Sequence, residues 1–326
     1  MQTHEFDLPT RSTMVVILLL SAASWGCSGP DAQCMHSTGG TMRHYDGASW
    51  LTQPSGSICP LQGVWGSDAN NIWAVGIAGT IIKYDGTAWS AQASGTTKSL
   101  WGVWGSDANN VWAIGDGGTL LKYDGASWSA QSSGTHATLM GVWGADDKHV
   151  WAVGPSEVAG QGGVILKYNG TAWSAQPSGT ESDLLGVWGS DANNVWVVGS
   201  DRNQKTILKY DGTTWSAQLQ GSQWGLGSIW GSDTNNIWAG GPDGILKWDG
   251  TSWSAQRVPA LPCGVTGLWG SDAHNVWAVG TCEILKFDGI SWSAQLTGVP
   301  GDGFVSVWGS DAHNVWAVGG FVTVEG

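Results

Sequence analysis

An all-β fold, a seven-bladed β-propeller with four antiparallel strands per blade and a last blade closed by both termini, is what this sequence predicts. Three observations carry the expectation. First, one Trp-rich unit recurs along the 326 residues: G-V-W-G-S-D-A-N-N-V-W-A-V-G, a short variable piece, then T-L-L-K-Y-D-G-A-S-W-S-A-Q. Its first half begins at Gly63, Gly102, Gly141, Gly186, Ser228, Gly267 and Ser306, at spacings of 39, 39, 45, 42, 39 and 39 residues. Periods of this size mark propellers and solenoids. Second, the array starts and stops in mid-unit. Residues 39–53 (GGTMRHYDGASWLTQ) supply only a second half, and residues 304–319 (FVSVWGSDAHNVWAVG) only a first half. A ring needs such matched ends, whereas an open solenoid does not. Third, every segment of the unit reads as a strand or a turn, and none has a helical period.

Each unit divides into four short strands, L-x-G-V-W-G-S, N-V-W-A-V-G, T-I-L-K-Y and S-W-S-A-Q. Alternation of apolar with small or polar residues, rich in β-branched and aromatic types, supports this division. Asp-Gly separates the third and fourth strands at Asp46, Asp85, Asp124, Asp211, Asp249 and Asp288, with Asn169-Gly170 in blade three. Both dipeptides suit a two-residue type I′ hairpin. Ser-Asp-Ala-Asn-Asn separates the first and second strands, where Asp and Asn fold back on their own backbone. Asp68, Asp107, Asp191, Asp233, Asp272 and Asp311 are therefore turn formers; none lies in the D-x-D-x-D-G spacing of an EF-hand. Three Trp occupy equivalent places in each blade, as Trp65, Trp73 and Trp89 do in the first. Filling the space between twisted blades is their expected role.

Composition narrows the function. The formal charge of −13 at pH 7 argues against nucleic acid or anionic lipid as a partner. Six of the 13 basic residues are the repeated lysines 83, 122, 167, 209, 247 and 286, which spreads them round a ring rather than gathering them in a patch. No H-E-x-x-H, G-x-S-x-G or Walker loop is present, and nothing calls for a cofactor or metal. His274 and His313 replace the same Asn in adjacent blades, too far apart to share a zinc.

Residues 1–26 read as an export signal. Arg11 precedes an apolar run from Met14 to Ala23, too short to span a bilayer but suited to a signal peptide. Ser24-Trp25-Gly26-Cys27 resembles a bacterial lipobox, departing from it at Ser24 and Trp25. Cys27 is thus a candidate for lipidation, the one route to a membrane, with plain cleavage the alternative. Residues 27–38 form a linker and 39–326 the propeller. An extracellular or cell-surface monomer is expected. Export suits disulfides. Cys263 and Cys282 flank two strands whose turn, at residues 271–275, lies midway between them, so they face each other across a hairpin. Cys34 and Cys59 remain as a second pair by elimination.

The V-W-G-S-D-A-N-N-V-W-A-V-G…K-Y-D-G-x-x-W unit resembles the Trp-rich propeller repeats of exported bacterial proteins. Through V-W-A-V-G-x-x-G-T-I-L-K-Y-D-G it is similar in outline to tectonin-type lectins, and through Asp85-Gly86-Thr87-Ala88-Trp89, more loosely, to Asp-box propellers. The lectin resemblance implies glycan binding on cell surfaces and transfers no site residue.

In a four-stranded blade the turns after the first and third strands emerge on one face, and the other connections on the opposite face. The first face is nearly uniform here, while the second varies in length and chemistry. Function concentrates on varied loops held by a uniform frame. The largest departures, residues 155–163 and 200–206 with 179–183 and 221–225, gather Glu181, Asp183, Asp201, Arg202, Asn203, Lys205 and Trp224 over blades three to five. Trp101 and Trp224 stand in connections leading into first strands, where the scaffold does not call for Trp. These eight residues are the candidate ligand contacts. The expected function is a non-catalytic binding module with a carbohydrate ligand, multivalent if each blade contributes. A cell-surface protein-interaction scaffold is the alternative, and a glycan hydrolase or lyase the third reading.

Overall fold

A computed structural model describes residues 39–158, 161–201, 204–222, 225–259, 263–297 and 303–320. The expected export signal, Cys27 and the expected linker lie outside the described residues. Seven four-stranded antiparallel sheets are arranged as the repeat predicts. In blade one the strands run Leu61–Asp68, Asn71–Gly76, Ile81–Tyr84 and Trp89–Ala91 from the axis outward. Blade seven takes Phe304–Asp311 and Asn314–Gly319 from the C-terminal end and Thr41–Tyr45 and Trp50–Thr52 from the N-terminal end. Its closing register pairs Thr41 with Gly319 and Tyr45 with Val315. Thr41–Tyr45 holds the third-strand place for which residues 321–325 could compete; those lie outside the described residues.

The Asp-Gly turn differs from the two-residue hairpin expected. Tyr84 pairs with Trp89, so four residues cross between the strands. Asp85 Oδ1 accepts the N–H groups of Thr87 and Ala88, and the Tyr84 hydroxyl donates to the Gly86 carbonyl. Only Gly suits the positive φ of 92° at position 86 without strain. This side-chain-closed loop explains why Y-D-G-x-x-W repeats as a block. The S-D-A-N-N turn follows the expected logic: Asp68 Oδ1 accepts from Asn70 N and, with Oδ2, from Asn71 Nδ2.

Adjacent blades are held by aromatic side chains. The indole of each first-strand Trp lies over a glycine of the next blade: Trp65 over Gly105, Trp104 over Gly144, and so round to Trp308 over Gly66. That contact accounts for W-G in every copy and closes across the terminal seam as it does elsewhere. Second-strand indoles are buried. Each receives aromatic contacts from the following blade, as Trp112 does from Tyr168 at 5.0 Å and Trp173 at 5.0 Å. The repeated lysines are not free surface charges. Lys122 Nζ stands 5.2 Å from the Trp112 ring centre and 5.6 Å from that of Tyr168 in the next blade, and Lys167 repeats the bridge with Trp151 and Tyr210. His44 holds this position in blade seven, stacked on Trp316 at 4.2 Å with Nε2 2.7 Å from Asn314 Oδ1.

Cys263 and Cys282 form the expected disulfide, with Cα atoms 6.1 Å apart. Cys59 is buried; its pairing with Cys34 lies outside the described residues.

Candidate functional site

The face carrying the 1–2 and 3–4 turns is uniform, and the opposite face carries the variation. On the varied face, the glycine ending each second strand meets the connection that enters the same blade. A Cβ on Gly115 would fall 2.0 Å from the Ser99 carbonyl oxygen, and on Gly154 1.9 Å from that of Thr138. Asp116 N donates to that Ser99 carbonyl in turn. The varied loops are therefore clamped to the frame at their roots.

The sequence candidates divide between this frame and the loops. Trp101 is not in a connection; it is the second residue of the first strand Leu100–Asp107. It is half-buried, and its indole N–H donates to Asp116 Oδ1 at 2.7 Å, which also receives the Thr138 hydroxyl at 3.3 Å. Asp183 begins the first strand Asp183–Asp191, and its Oδ1 accepts Ser156 N, fixing the long excursion of blade three. Glu181 is exposed two residues earlier. Glu157, which the sequence reading did not single out, accepts the Thr135 hydroxyl and His136 N at 2.7 Å; these bonds lower its pKa.

The excursion at 200–206 is entered and left on regular strands. The strands Asn194–Asp201 and Gln204–Tyr210 continue into it, pairing Ser200 with Lys205 and Asp201 with Gln204. Asp183, Ser200, Lys205 and Gly221 form one row across four strands. Asp183 and Lys205 are thus two strand spacings, about 10 Å, apart along the backbone. Arg202, Asn203 and Trp224 lie outside the described residues.

One group of residues escaped the sequence reading. Between the buried apolar residue that leads into each first strand and the Gly or Ser that follows, the chain places Gln62, Trp101, Met140, Leu185, Gly227, Thr266 and Val305. These are seven different residue types at one repeat position whose flanks are almost fixed. In blades one, two, four and seven this position falls at a register shift between the first and second strands. Bulges re-aim a side chain out of the regular alternation. All but Leu185 line an axial pocket of about 200 Å³ built from the first strands of all seven blades. The signal was present in the sequence as one variable position between almost fixed flanks. It was hidden because the residue types share no chemistry.

A buried acid also lies on this face. Glu283 begins the third strand Glu283–Phe287 of blade six, is 5% exposed, and its Oε1 has no hydrogen-bond partner among the described residues. Burial raises its pKa above the usual carboxylate range. Thr80, Thr119 and Thr206 hold the equivalent place in other blades. Among the described residues no group of three or more His, Cys, Asp or Glu is arranged to hold a metal. His274 and His313 stand exposed beside Asp272 and Asp311 in separate turns.

No family model matches the chain, and no curated protein matches it. Solved structures do. YCF48 from Cyanidioschyzon merolae is 16% identical, with a TM-score of 0.64 over 84% of this chain and 99% of that one. A structure described as YCF48 bound to D1 peptide is 16% identical, with a TM-score of 0.62 over 87% of this chain and 97% of the other. A streptogramin B lyase structure is 11% identical, with a TM-score of 0.66 over 87% and 98%. At these identities the matches show the seven-bladed propeller and nothing finer. A binding protein and a lyase both stand among the neighbours.

Proposed function

We propose that this chain is an exported, non-catalytic binding module that engages a polypeptide through the varied face of its propeller. The observation carrying this reading is the contrast between a frame repeated almost unchanged and one repeat column, at the axial mouth, in which no two blades agree. Uniform strands fix the geometry, and the varied column supplies a surface specific to one partner.

The packing of the repeat tryptophans weighs against the multivalent carbohydrate arrangement. Second-strand indoles are buried, fourth-strand indoles such as Trp173 meet them edge-on, and first-strand indoles cover the next blade's glycine. Their surfaces are committed to one another rather than held out for a sugar in each blade. The same fold presents a peptide in one neighbour, the YCF48 structure described as bound to D1 peptide. Export rests on residues 1–26 of the sequence.

The test sets a glycan array beside a displayed peptide library, both probed with the purified exported chain. The proposal expects saturable peptide binding with the peptide recovered intact. Glycan binding without peptide binding, or conversion of either ligand to product, overturns it.

A further inference from the structure

We infer that the axial mouth is the ligand site, and that it takes one large apolar side chain from a polypeptide segment whose flanking residues are basic. This rests on the polypeptide-binding reading and adds the place and the chemistry.

Size argues for a single inserted side chain. The pocket measures about 200 Å³, below the roughly 300–1,000 Å³ of sites that enclose a whole small ligand. Position 227 widens the mouth, since nothing among the described residues lies within 4 Å of where a Cβ on Gly227 would stand.

The chemistry of the rim argues for an apolar group. On successive blades stand Trp101, Met140 and, at the same repeat position, Leu185, with Val305 across the mouth. Met adapts its shape to a partner, and Trp is among the residues that most often anchor interfaces. None of the seven rim residues is charged. Thr266 Oγ1 already donates within reach of two carbonyls, Val279 O at 3.0 Å and Phe304 O at 2.9 Å, and the Trp101 N–H is taken by Asp116. Among the rim side chains the Gln62 amide is left to pair with a polar group of the segment, beside the apolar arc of Trp101, Met140 and Leu185.

Charge argues for basic flanks. Over the apolar arc the varied loops carry Asp116, Glu157, Glu181 and Asp183 against Lys98 and Lys205, an acidic excess. Asp116, Glu157 and Asp183 accept hydrogen bonds from an indole N–H, hydroxyls and backbone N–H groups. Such neutral donors orient a carboxylate without cancelling its charge. With a net charge of −13 on the chain, the field at the mouth favours Lys and Arg on an approaching segment.

The experiment selects binders from a displayed library of random peptides, using the purified exported chain as bait. Affinities of a synthetic selected peptide are then measured for wild type, Met140→Glu, Gly227→Leu and Ile290→Glu. Met140→Glu changes the charge of the rim, and Gly227→Leu fills the mouth without charge, so a folding defect in one leaves the other informative. Ile290, 90% exposed in the 3–4 turn of blade six on the uniform face, is the control. Selected peptides are expected to share a Leu, Met, Phe or Trp with Lys or Arg beside it. Both mouth variants are expected to bind about tenfold or more weakly, and Ile290→Glu as wild type. Peptides selected without an apolar anchor, or with acidic flanks, overturn the inference. So does binding that ignores both mouth variants, which leaves polypeptide binding standing at another place. A library that enriches nothing overturns the inference, and glycan binding in its place removes the polypeptide reading as well.

Discussion

Replacing Gly105 by Ala tests whether the blades are locked by indole against backbone. A Cβ at this position would stand 2.7 Å from Trp65 Cη2 and Cζ3 and 2.7 Å from the Asn110 carbonyl oxygen. The carbonyl belongs to the paired hairpin of the same blade and cannot retreat without breaking the ladder. The indole cannot retreat either, because Trp73 stacks on it at 5.8 Å. Overpacking of this kind costs about 1–3 kcal/mol. Ala stiffens the unfolded chain and returns about 0.4–1 kcal/mol where the backbone conformation tolerates it. Since two contacts are violated and one is backbone, the upper part of the first range applies, for a net loss of about 1–2 kcal/mol. Urea unfolding followed by Trp fluorescence measures it, with Gly227→Ala as the unclashed control. Equal midpoints for Gly105→Ala and wild type would refute the lock.

The remaining predictions concern charge and cross-linking. Glu283→Thr restores the residue of other blades and removes a buried, unpartnered carboxylate, so it should stabilise by about 1–3 kcal/mol at pH 7. Because the folded pKa of Glu283 is raised, wild type is favoured below the unfolded value of 4.5 and loses that contribution as pH climbs through the raised one. The advantage of Glu283→Thr in a pH series of melts should therefore shrink in acid. The turn aspartates behave oppositely. Backbone N–H bonds hold Asp85, Asp124 and Asp249 below the ordinary aspartate value of 3.8. At Asp68 and Asp107 desolvation opposes the shift, and the bonds from Asn and Ser overcome it. Their contribution is complete above 3.8 and is lost as pH falls through the lowered values, which an acid titration of the circular dichroism will show. Cys263 and Cys282 are 19 residues apart, and a loop of this length makes the disulfide worth about 3 kcal/mol. Cys263→Ser with Cys282→Ser should lower the unfolding midpoint accordingly.

The fold was legible because the repeat states it many times over. Matched half-units told that residues 39–53 would close the last blade with 304–319, and the spacing of Cys263 and Cys282 about a turn told their bond. The conformation of the Asp-Gly loop was not legible. The dipeptide also suits a tighter hairpin, and the choice is made by the Tyr hydroxyl and the two N–H groups that Asp85 captures. The candidate site was legible only as a face. Loop length drew attention to residues 200–206, where Ser200 and Asp201 in fact stay paired with Lys205 and Gln204. The axial ring passed unnoticed because its members are scattered about 40 residues apart and share nothing but register. Trp101 stood out as an indole the scaffold does not require, but it was expected in a connection; its place in the ring depends on a register shift between Leu100 and Gly102 that the sequence does not show.

Hydrogen exchange of the chain with and without a selected peptide tests the account most directly. Binding at the varied face predicts added protection at the starts of the first strands, around Gln62, Trp101, Met140 and Thr266. The uniform turns, such as Asp68–Asn71 and Asp85–Ala88, should exchange unchanged. Protection concentrated in those turns, with the first-strand starts unaffected, would contradict it.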